Sequence, residues 1–69
     1  MSREQLIKIA SNYASEHGWN VTAYLVKEVK TKGPECSVSF TGKSKSPGDH
    51  FTVYLECTKG TVLRLMPGR

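Results

Sequence analysis

The chain is short of most features that would announce a chemistry. It has two cysteines, two histidines and one tryptophan in 69 residues. No apolar run comes near the roughly 20 residues of a membrane-crossing helix. No Cys-x-x-Cys occurs, and Cys36, Cys57, His17 and His50 lack zinc-finger spacing. No glycine-rich phosphate loop joins a strand to a helix N-terminus. Arg3, Glu4 and Gln5 interrupt the start, so no basic-then-apolar leader is seen. These absences remove the membrane-spanning, zinc-finger and nucleotide-loop classes. The expectation is a cytoplasmic single domain over residues 1–69 with no cofactor and no metal, since chains split into domains only at several times this length.

Charge is what the chain does have. Ten Lys and Arg stand against six Asp and Glu, a formal net charge of +4. A basic balance suits nucleic acid, an anionic membrane surface or an acidic protein. The cations run from Arg3 to Arg69 and cluster only at Lys27, Lys30 and Lys32 and at Lys43 and Lys45. Both clusters fall near expected turns, where lysines protect strand edges.

Residues 2–17 read as a helix. Ser2 and Gln5 form an S-x-x-Q capping box. Leu6, Ile9, Ala10, Tyr13, Ala14 and His17 recur at spacings of three and four, which places them on one face. Gly18 supplies a left-handed stop, with Trp19 as a hydrophobic lid. The period then changes to two. Val21–Lys30 is rich in β-branched and aromatic residues and ends at the turn cluster Thr31-Lys32-Gly33-Pro34. Cys36–Thr41 and His50–Cys57 alternate apolar and polar. Gly42–Asp49 is a polar loop, Thr58-Lys59-Gly60 a hairpin loop with Gly in the left-handed region, and Thr61–Met66 the last strand. The expected fold is α+β, one N-terminal helix packed on a four-stranded antiparallel meander (αββββ) in two layers.

Matching apolar faces pairs Phe40 with Val53, Val38 with Leu55 and Cys36 with Cys57. It also pairs Leu55 with Leu63 and Val53 with Leu65. The first strand changes parity, which calls for a bulge near Val26 or Lys27. The expected core is Leu6, Ile9, Ala10, Tyr13, Trp19, Val38, Phe40, Val53, Leu55, Leu63 and Leu65. Cys36 and Cys57, facing each other, lie within disulfide reach. A reducing compartment would leave them as buried thiols.

The segment from Phe51 to Leu65 runs as an apolar strand, then an acidic-x-x-x-Gly turn at Glu56-Cys-Thr-Lys-Gly60, then Val62 and a further strand. With the helix carrying Ala10 and Ala14 and the Gly18-Trp19 step, it resembles the small PepSY-like and cystatin-like α+β modules. The Gln-x-Val-x-Gly loop of cystatin inhibitors is absent. The resemblance implies a non-enzymatic binding or inhibitory module.

Candidate sites are few. Asp49-His50, with Ser44 and Ser46 nearby, is the nearest approach to a catalytic set, but it sits at a polar loop without a strained nucleophile turn. His17 complements the helix C-terminus. The sheet face turned away from the helix is more informative. Ser37, Ser39, Thr41, Thr52, Tyr54, Glu56, Val62, Arg64 and Met66 are expected there. Tyr54, Val62, Arg64 and Met66 have the composition of an interface, and Lys43 and Lys45 offer a second contact on the 42–49 loop. The expected partner is a protein or a second copy of the chain. The alternative is nucleic acid, stacked on Tyr54 beside Arg64.

Overall fold

The computed structural model describes residues 2–43 and 49–68. One helix, α1 (Arg3–Glu16), packs on an antiparallel sheet of β1 (Tyr24–Lys32), β2 (Glu35–Gly42), β3 (His50–Glu56) and β4 (Val62–Pro67), in the order β1-β2-β3-β4. This is the α+β meander read from the sequence.

The helix begins at the expected capping box. Gln5 N–H donates to Ser2 Oγ at 3.2 Å, and Ser2 N–H donates to Gln5 Oε1 at 2.9 Å. It ends in a Schellman turn. Gly18, at φ 88°, donates to the Ser15 carbonyl, and Trp19 N–H reaches the Ala14 carbonyl at 3.0 Å. That turn aims the Trp19 ring back onto the sheet. Leu6, Ala10 and Ala14 are the helix residues that become buried. The two alanines let the helix lie close to the strands.

Val21–Ala23, expected to open the first strand, instead forms a 3-10 turn, and β1 runs on to Lys32. A turn here brings Val21 against the core while Tyr24 starts the pairing. The expected bulge in β1 is present: pairing shifts between Val26 and Glu28, so Lys27 is the extra residue. Val26 and Val29 therefore both face inward, opposite Phe40 and Val38.

The β2–β3 register differs from the expected one by two residues. Phe40 pairs with Phe51, Val38 with Val53 and Cys36 with Leu55. An even shift keeps every side chain on its face. The loop decides the register: Gly42 N–H donates to the Asp49 carbonyl at 2.7 Å. The gain is aromatic. Phe51 stacks on Phe40 with centroids 4.7 Å apart, and Trp19 and Tyr24 lie at 4.4 and 5.0 Å from it.

The core comprises Leu6, Ala10, Ala14, Cys36, Val38, Phe40, Phe51, Val53 and Leu55, with Ile9, Tyr13, Trp19, Val62 and Leu65 packed half-buried against it. Two expectations about β4 fail for one reason. Val53 pairs with Leu65 as expected, and Tyr54 pairs with Arg64, but Leu55 then meets Val62. A bulge at Leu63 turns Val62 inward and leaves Leu63 49% exposed. Strict alternation had assigned those two residues the other way round. Aspartate at position 62 should lower the denaturation midpoint strongly, because it puts an unpaired charge against the core. Aspartate at 63 should leave it within about 0.5 kcal/mol of the parent. Urea melts of the two variants check the bulge.

Cys36 and Cys57 are joined as a disulfide, with Cα atoms 5.1 Å apart, within the reach expected; this is the oxidised state, where a reducing compartment would have left thiols. They are not direct strand partners. Cys57 lies one residue beyond β3, and its N–H donates to the Pro34 carbonyl at 3.0 Å. The bond thus ties the β3–β4 turn to the start of β2. Closing a loop of 21 residues removes chain entropy from the unfolded state, worth about 3 kcal/mol. Reduction under native conditions, followed by a urea melt, should lower stability by about that amount.

Candidate functional site

The helix covers one side of the sheet. Among the described residues no second layer covers the other. Registers place the outer side chains in rows that cross the strands. One row holds Lys30, Ser37, Tyr54 and Arg64. Beside it on one side lie Glu28, Ser39, Thr52 and Met66, and on the other Lys32, Glu35 and Glu56.

A groove of about 370 Å³ crosses the first and last of these rows, lined by Lys30, Lys32, Glu35, Ser37, Tyr54 and Arg64 as well as Cys36. Three of its side chains form a connected set. The Arg64 guanidinium lies over the Tyr54 ring, 4.1 Å from its centroid. Its Nη2 is 2.8 Å from Glu35 Oε1. That oxygen is shut off from solvent and accepts no well-directed hydrogen bond, so the contact is an ion pair off the N–H axis. The pair has a local cause. Glu35 and Glu56 face each other directly across β2 and β3, and like charges so placed repel. Arg64 neutralises the first of them. The Lys30–Glu28 pair is looser, at 3.6 Å between exposed side chains, and contributes little.

The expected site residues divide on inspection. Tyr54 and Arg64 are in direct contact on the outer face. Met66 is on the same face, 52% exposed, one row away. Val62 is removed from the set, because the β4 bulge turns it into the core. Lys43 is exposed beyond the end of β2, away from the groove. Lys45, with Ser44 and Ser46, lies outside the described residues. Sequence reasoning missed Glu35, Lys30 and Lys32. Their signal was parity: once Lys27 is taken as the bulge residue, Glu28, Lys30 and Lys32 fall on the outer face.

A second, smaller depression of about 220 Å³ lies beside Lys27, Glu28, Ser39, Thr41, His50 and Thr52. Its polar floor is self-satisfied in part, with Ser39 Oγ and Thr52 Oγ1 3.2 Å apart. Asp49, beside it in sequence, is committed elsewhere: Tyr24 Oη donates to Asp49 Oδ1 at 2.6 Å. Asp49-His50 is therefore a strand-entry clasp, with His50 exposed. His17 stays at the helix end, its Nδ1 2.8 Å from the Tyr13 carbonyl and its ring stacked on Tyr13. Among the described residues no three His, Cys, Asp or Glu side chains gather as a metal set.

No family model, curated protein or solved structure matches the chain. No helix among the described residues is long and apolar enough to cross a membrane.

The Asp49 hydrogen bond holds the Tyr24 phenol above its ordinary pKa, with desolvation and the Asp49 charge adding to the shift. Each favours the neutral phenol. The stabilisation is therefore complete below the unfolded-state pKa and is lost as pH rises through the higher folded one. Alkaline titration of tyrosinate absorbance should show one phenol in Asp49→Ala ionising at lower pH than in the parent.

Proposed function

We propose that the protein is a small non-enzymatic binding module that docks a protein partner on its outer sheet face. The observation that carries this reading is the Arg64–Tyr54–Glu35 set in a groove on the sheet face that no second layer covers among the described residues. A guanidinium and an aromatic ring held together in a concave surface are the residue types that dominate interface hot spots. The engagement of Asp49 by Tyr24 supports the absence of a catalytic pair with His50. The resemblance to PepSY-like and cystatin-like modules points the same way. The Cys36–Cys57 bond weighs against the cytoplasmic location expected, because disulfides persist in oxidising compartments.

The nucleic-acid reading draws support from the charge of +4. It is weakened at its stacking platform: Tyr54 is the aromatic residue on this face, and Arg64 already occupies one side of its ring.

Tyr54→Ala combined with Arg64→Glu should abolish partner capture and any self-association while keeping a native melting curve. Affinity capture and sedimentation of the double variant check this. Unchanged association with a native melt would move docking to the 42–49 loop or to a sheet edge.

A further inference from the structure

We infer that the groove selects an acidic peptide segment of its partner. This rests on the outer sheet face being the docking surface. Lys30, Lys32 and Arg64 line the groove against one carboxylate, Glu35, and that carboxylate is already paired with Arg64. The lining surplus is positive, with Glu28 and Glu56 at its margins, and the chain as a whole is positive too, so an approaching anion is attracted.

The two ends of the groove differ. Arg64 is held by Tyr54 beneath it and Glu35 beside it. With Nη2 committed to Glu35, a guanidinium of five N–H donors still has donors to offer a ligand. A guanidinium fixed in this way loses little freedom when it takes a carboxylate. Lys30 and Lys32 are exposed, and the Glu28 contact of Lys30 exchanges readily with a ligand. The Arg64 guanidinium reaches back from β4 over the Tyr54 ring on β3 to Glu35 on β2, one strand from the β1 position of Lys32. Neighbouring carboxylates of one acidic segment therefore engage the guanidinium and the lysines together. Ser37, between them, offers a hydroxyl to the peptide backbone. Nucleic acid is the poorer occupant, because Arg64 covers the ring on which a base would stack.

The test is a two-dimensional NMR titration of the full chain with a Gly/Ser peptide carrying two glutamates. The same peptide with glutamines and an oligothymidylate are run alongside. The glutamate peptide should shift the amides of Lys30, Ser37, Tyr54 and Arg64, and the glutamine peptide should not. Lys30→Gln with Lys32→Gln should weaken binding about tenfold, equivalent to about 1.4 kcal/mol. Lys8→Gln with Lys59→Gln, away from the groove, should leave it unchanged. No shifts with the glutamate peptide, equal loss in the two double variants, or tighter binding of the oligothymidylate in the same groove would each overturn the inference. Partner capture that depends on Tyr54 and Arg64 yet is not competed by the glutamate peptide would overturn the acidic specificity alone and leave the docking face standing.

Discussion

The hydrogen bond from Gly42 N–H to the Asp49 carbonyl closes the β2–β3 hairpin and sets the register of its two central strands. Gly42 is required there, because a Cβ would collide with the side chain of Asp49 and crowd its carbonyl. Tyr24 reinforces the closure from β1 through its bond to Asp49 Oδ1. From this point the rest is determined. Phe51 comes opposite Phe40 and becomes the ring against which Trp19 and Tyr24 pack. On the reverse side of the same strands, Tyr54 comes level with Ser37 and Arg64. Core and groove are two faces of one register.

The two bulges finish the arrangement. In β1 the extra residue, Lys27, lets Val26 and Val29 both face the core and sends Glu28, Lys30 and Lys32 to the outer face. In β4 the extra residue, Leu63, lets Val62 and Leu65 both pack inward while Arg64 points out over Tyr54. Each bulge thus gains an apolar contact on one side and places a cation on the other. Bulges characteristically re-aim side chains in this manner.

Much of the fold was legible because its signals are local. The capping box, the Gly18 stop, the period of two in β2 and β3, and the Gly60 turn at φ 71° each depend on a few neighbouring residues. The β1 bulge was legible because Tyr24 and Val26 break the parity of Val21, Ala23 and Leu25. The β4 bulge was not, because Leu63 and Leu65 alternate perfectly and conceal it. The β2–β3 register escaped for a related reason: slips of two residues keep every apolar side chain inside, so hydrophobicity alone cannot choose between them. Loop closure at Gly42 and Asp49 chooses. At the site, Tyr54 and Arg64 were found from strand parity alone. Glu35 lay one residue outside the expected strand. The lysines opposite needed the bulge to be counted first.

The same two bulges govern how the sheet meets other sheets. A four-stranded open sheet has two free edges, each a template for adding a foreign strand. On one edge, β1 is interrupted by its bulge and carries Lys27, Lys30 and Lys32. On the other, β4 is interrupted at Leu63 and ends at Pro67, which has no N–H to donate. Neither edge offers a long, flat, uncharged run of backbone groups. The sheet can therefore leave one broad face without a second layer among the described residues and not invite the strand-by-strand stacking that ends in fibrils.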